Sequence, residues 1–206
     1  MKSALTVLLL FLAGSCVAQT SLTTPKGASQ PVDARGFIHR WRVLEPVPVS
    51  GRLTESAVQE ALQLAALPNV VDAQKKWHAL ETVNYNLNLY HFAWALSKPT
   101  SNVLFWVETT VDSPREMNGV RLAIGSNAAS RWWLNEELVI ALNDDRQSVI
   151  DDGVSRRVTL RKGRNVIRAA IINGGGATDF CARFLDEHDQ PIQGLSVSVQ
   201  SPPDPR

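Results

Sequence analysis

Asp144, Asp145, Asp151 and Asp152 stand close together in the chain and are its densest supply of hard oxygen ligands. A calcium ion draws several carboxylates and carbonyls around one point, so structural calcium is one reading of this group, although the spacing matches no EF-hand loop. The same acids, with Glu108, supply the paired carboxylates that glycoside cleavage places on either side of a bond. Acidic pairs between strands serve equally well as solvated turns. His39, His78, His91 and His188 are scattered, and none falls at a metal-ligand or triad spacing. No G-x-S-x-G pentapeptide occurs, which removes the α/β-hydrolase elbow. A hydrolase would need Ser126 or a carboxylate pair to converge with a histidine in a pocket. Cys181, between Phe180 and Ala182, reads as a small buried hydrophobe. The run Gly174-Gly175-Gly176 follows no strand-to-helix phosphate pattern. No catalytic residue is expected, and no cofactor other than that calcium.

Strands must position these residues. Val120, Leu122 and Ile124 alternate with Arg121 and Ala123, the period of a strand with one face in a core. Asn135-Glu136 then reads as a tight hairpin turn, because asparagine tolerates the positive φ of primed turns. Further strands are expected over 37–44, 89–96, 103–110, 131–134, 138–142, 156–160, 165–172, 180–185 and 195–199, separated by Pro, Gly, Asn and Asp clusters. The one expected helix is 54–67: Thr54 caps it, Val58, Ala61, Leu62 and Ala65 share a face, and Pro68 stops it. A single helix among strands cannot build a parallel βαβ series, so it should plug one end of a sandwich. The expected fold is therefore an all-β, antiparallel, jelly-roll-like β-sandwich over 37–200 with one short helix. Residues 19–36 read as a flexible linker and 201–206 as a disordered tail. Loops 126–130, 143–146 and 173–179 should meet at one end of the sandwich.

Several pieces, taken in order, resemble a known family. Ile124-Gly125-Ser126, a short polar loop and WLN-x-E at 133–137 are followed by Arg146 with Asp151-Asp152, and then by VTLRKGRNVIRAAIIN at 158–173. FIHRWRVLEPVPV at 37–49 opens the series and FCARFLDEHDQPIQGL at 180–195 closes it. Together they resemble the galactose-binding-domain-like β-sandwich module, similar to the sugar-binding domain of family-2 glycosyl hydrolases. The likeness spans residues 37–198. Asn127-Ala128-Ala129 stands where such modules carry Asp-Asp-Gly, and Glu136 replaces a turn glycine. The resemblance implies that Trp133 lies in the core, which leaves Trp132 on the outer face, either as a stacking surface for a sugar ring or covered by the helix or a neighbouring loop. Asn127, Asn143, Asp144 and Arg146 would add hydrogen bonds from the loops. Arg146 also reads as the ion-pair partner of Asp151 or Asp152. Trp41, Trp77, Trp94 and Trp106 read as core.

The N-terminus reads as a secretory signal peptide over 1–18: Met1-Lys2 is positive, 4–13 is apolar, and 15–18 is a run of small residues. Two processing routes stand side by side, ordinary cleavage before Gln19 and lipidation at Cys16. Beyond Cys16 only Cys181 remains, so no disulfide is expected within the mature chain. Lys plus Arg is 21 against 20 acidic residues, a net charge of +1 that offers no field for nucleic acid. No transmembrane span is expected. The expectation is an exported, non-catalytic carbohydrate-binding-like module, secreted, periplasmic or on the outer surface. Its alternatives are a protein-interaction module of the cell envelope and an accessory-domain relative of a glycoside hydrolase or esterase.

Overall fold

The computed structural model describes residues 22–49 and 75–199. The expected helix at 54–67, the signal peptide with Cys16, and the tail at 201–206 lie outside them. Within the described residues the chain is an antiparallel β-sandwich with one short helix.

The large sheet is built on an uninterrupted pairing of two long strands. β7 (Val103–Ser113) and β13 (Gly163–Asn173) run antiparallel from Val103↔Asn173 to Ser113↔Gly163. β9 (Ser130–Leu134) and β10 (Glu137–Leu142) extend the sheet on the β13 side. On the β7 side lie β3 (Arg40–Leu44), β5 (Trp77–Thr82) and β1 (Leu22–Thr23). β4 (Val47–Pro48) and β15 (Ser196–Ser198) also pair with β7, and β2 (Ser29–Pro31) pairs with β15. The opposing sheet has β8 (Met117–Ser126) and β14 (Asp179–Leu185) at its centre. β6 (Leu87–Asn88), β11 (Gly153–Val154) and β12 (Val158–Leu160) flank them.

The region expected as a linker is described from residue 22 onward, and there it is tied into the sheet. β1 and β2 are paired strands, and Val32 is buried. Two residues of positive φ, Asn135 at 49° and Glu136 at 72°, close the β9–β10 hairpin as the turn chemistry requires. β10 is the last strand on its side, and its pairing slips between Leu138 and Ile140.

The core fills the space between the sheets. Phe105, Val107, Ile171, Ala169 and Trp132 face Leu122, Ile124, Phe180, Ala182 and Phe184, all buried. The other face of the large sheet is also closed. There Leu104, Trp106, Ala170 and Ile172 form a second apolar cluster with Leu44 and Ala129. Beside that cluster runs a row set by register, Arg42↔Glu108↔Arg168↔Trp133.

One expected strand is a helix instead. Residues 89–96 contain α1 (Leu89–Ala95), entered through Asn88, whose side-chain oxygen accepts from the His91 N–H as a helix cap does. Leu89, Phe92 and Ala93 turn inward at helical spacing and seat the helix on the core. The aromatic residues of this stretch raise its strand propensity, but the cap and the i, i+3, i+4 pattern prevail.

Candidate ligand-binding end of the sandwich

The loops at 126–130, 143–146 and 173–179 do gather at one end, and α1 joins them. The registers require this, since β7 starts, β13 ends, β14 starts and β8 ends there. Asparagines lace the end together. Asn127 donates to Ala177 O at 2.6 Å and accepts from the Asp179 N–H at 3.0 Å. Asn173 donates to Thr100 O at 2.6 Å, and Asn86 donates to Asp179 Oδ2 at 3.1 Å. The backbone N–H of Leu89 donates to Thr178 O and that of Arg146 to Asn127 O. The result is a polar plate whose loops are held by one another.

Gly125 lets the next loop lie flat on the small sheet. A Cβ there would meet Val149 O at 2.5 Å and Cys181 Sγ at 3.0 Å. Residues 149–152 therefore cover Cys181, and burial pushes its thiol up to about 11, so it is a packed group and not a nucleophile.

The structure sorts the expected site residues into three groups. Trp132 is overturned as a stacking surface: it is 0% exposed, packed against Trp41 and Phe180, and its indole N–H donates to Ser130 Oγ. Strand parity decides this, because Ser130, Trp132 and Leu134 face the core while Trp133 turns to the outer face and packs against Trp106. The four aspartates do not converge as a calcium set. Asp151 is held by Arg183, with Arg183 Nε at 3.0 Å from Oδ1, and Asp152 pairs with Arg146 at 3.0 Å. Among the described residues no three His, Cys, Asp or Glu side chains come together to hold a metal ion. Asn127 spends both ends of its amide inside the protein. Asn143 accepts from Arg131 at 2.8 Å and is otherwise exposed, as are Asp144 and Asp145, so these three present polar groups to solvent.

Trp94, expected in the core, is 70% exposed on the outer side of α1. Tyr90 lies one helical turn before it on the same side, with its ring 6.0 Å from that of His91. The signal for this was in the sequence: with Leu89, Phe92 and Ala93 inward, helical spacing sends Trp94 outward. Three of the four buried polar atoms without a hydrogen-bond partner among the described residues also belong to this end. They are Arg146 Nε, Thr178 Oγ1 and Asp179 Oδ1. Buried polar atoms of this kind are uncommon, and a bound water suffices to pair them.

Other chemistry-bearing groups are committed to structure. Glu108 accepts from Arg168 at 2.8 Å and from Arg42 at 3.4 Å. Glu45 is held by Lys98 at 3.2 Å and His78 at 3.4 Å. His39 stands between Asp33 Oδ2, 3.1 Å from Nε2, and Thr82, whose Oγ1 and carbonyl lie 3.1 and 3.2 Å from Nδ1. The sequence spacing did not reveal this Thr-His-Asp row. Thr82 is only 6% exposed, and its carbonyl shares the Nδ1 position, so the row clamps β5 to the turn before β3.

No family model and no curated protein matches the chain. Among solved structures, likenesses are found only at low identity. A β-glucosidase from Kluyveromyces marxianus is 17% identical with a TM-score of 0.47, over 76% of this chain and 18% of the β-glucosidase. The PA14 domain of the MpAFP antifreeze protein is 12% identical with a TM-score of 0.48, over 88% of this chain and 97% of the domain. A GH31 α-xylosidase from Xanthomonas citri is 10% identical with a TM-score of 0.30, covering 87% of this chain and 19% of its own. The chain thus spans about a fifth of each glycosidase it matches.

Proposed function

We propose that this chain is an exported, non-catalytic carbohydrate-binding module that takes a glycan on the α1 end of the sandwich. The observation that carries the reading is Trp94. A flat indole left 70% exposed on a helix whose other side is seated in the core has no packing role. An indole face beside polar groups suits the apolar face of a pyranose ring, with hydroxyls reaching the surrounding donors and acceptors. Asn143, Asp144 and Asp145 present such groups at the same end of the sandwich, and the exposed residues 174–177 add more. The carboxylates of Glu108, Asp151 and Asp152 are bound by arginines, which favours binding over bond cleavage.

A glycan array of the mature chain and of Trp94→Ala tests this directly. Selective binding by the wild type that disappears in the variant is the expected result, and an array in chelator reads any calcium contribution from Asp144 and Asp145. Binding that survives in Trp94→Ala would overturn the site. Silence of the folded wild type on every glycan would move the assignment to an envelope interaction module. Leu138 on edge strand β10 and Val154 on β11, both exposed, would serve such a module.

A further inference from the structure

Against the loop at 191–193, a turn between β2 and β3 holds a guanidinium that pairs with no carboxylate among the described residues. The Arg35 guanidinium carbon lies 4.9 Å from the ring centre of Phe37 and 5.3 Å from that of Tyr85, and these two rings are themselves 5.2 Å apart. The backbone beneath it is rigid. Asp33 Oδ1 accepts from the N–H groups of Arg35 and Phe37, each at 2.8 Å, and the Gly36 N–H donates to Asp33 O at 2.9 Å. Gly36 itself has φ of +79° and lies so close to Ile192 O that a Cβ would sit 3.0 Å from it. Arg183, stacked on the opposite part of the cluster at 4.8 Å from the Phe37 ring, donates to Arg35 O at 3.0 Å.

The two arginines differ in one respect. Arg183 is neutralised by Asp151, whereas no carboxylate pairs with Arg35 among the described residues. Tyr85 is 38% exposed next to it, and Asn86, the following residue, ties that turn to Asp179 at the laced end.

We infer that Arg35 and Tyr85 form a carboxylate-reading subsite, so that the glycan this module takes is an acidic one bearing uronic acid residues. The inference rests on the carbohydrate-binding reading above. A guanidinium laid on aromatic rings keeps its N–H fork free for a bidentate carboxylate contact, and holding it in place beforehand removes most of the ordering cost. In a uronic acid the carboxylate is carried on the pyranose ring, so the charge and the apolar ring face are close neighbours.

The test uses trigalacturonate and its fully methyl-esterified form, which keeps the rings and removes the charge. Titration calorimetry on the mature chain should show the acid bound at least about tenfold more tightly than the ester, the size expected of a charged hydrogen-bonded contact. That preference should vanish in Arg35→Ala and largely vanish in Arg35→Lys, which keeps the charge but loses the fork. Ester binding should be unchanged in both, and the preference should fall with added salt. Equal binding of acid and ester by the wild type would overturn the subsite, as would a preference that persists in Arg35→Ala. Neutral glycan binding that is abolished by Trp94→Ala, with no preference for the acid, would overturn this subsite alone. Absence of binding to any glycan would overturn both readings.

Discussion

Trp132 and Trp94 lie on the inner and outer sides of the same end of the sandwich, and their environments could hardly differ more. Trp132 has every side covered: Trp41 and Phe180 meet it edge-on, and Ser130 takes its N–H. Trp94 is carried on a helix whose inward residues do all the packing, so its ring meets solvent. One indole is part of what makes the fold stable, and the other contributes nothing that folding requires. Under the proposed function that exposed indole face is what meets the sugar ring.

The largest expected effect is on the inner side. Trp132→Ala removes a fully buried indole and should cost roughly 3–5 kcal/mol, measured by denaturant unfolding. A loss below about 1 kcal/mol would mean that the two tryptophans do not differ as described. Gly125→Ala comes next, at about 1–3 kcal/mol, because the added carbon meets a backbone carbonyl that cannot swing away. An unchanged melting temperature would show that residues 149–152 do not rest on the sheet.

A smaller, pH-dependent effect is expected at Asp33. Burial alone would raise its carboxyl, but the hydrogen bonds from His39, Phe37 and Arg35 outweigh this and hold it below its ordinary value. The stabilisation is therefore full above the ordinary carboxylate range and is lost as the pH falls through the lowered value. Melting curves between about pH 6 and pH 2 should show the wild type losing its advantage over Asp33→Asn on acidification. A gap that is constant with pH would rule out the carboxylate as its source. Smallest of all is Trp94→Ala, within about 0.5 kcal/mol of the wild type in stability while glycan binding is lost. A clear destabilisation would place that ring in the packing after all.

Much of the sandwich was legible in the sequence, because period-two alternation and turn residues are local signals. The Asn135-Glu136 hairpin and most of the two long strands, expected over 103–110 and 165–172 and found over 103–113 and 163–173, follow from them. The parity of Trp132 against Trp133 was not legible. The outer face of the large sheet is itself covered by Leu104, Trp106 and Ile172, so both sides of β9 are apolar and alternation cannot say which is the core. The 89–96 stretch misled for a related reason: three aromatic rings in succession look like a strand, although Asn88 and the spacing of Leu89, Phe92 and Ala93 specify a helix turn by turn. The Arg35 cluster was out of reach, since Phe37, Tyr85 and Arg183 meet only through pairing across the fold.

The pairing of β2 with β15 also sets an order of assembly. β15 lies along Thr110–Asp112 of β7 on one side and along Ser29–Pro31 on the other, so one of the first strands of the sandwich reaches the large sheet only through its last. Closing a loop of that span is slow, and β7 offers an open edge until it happens. A chain stopped after Leu185 would leave both β2 and the outer half of β7 without a partner. Completion of the large sheet should therefore be a late event in folding, made possible only when the final strand has emerged.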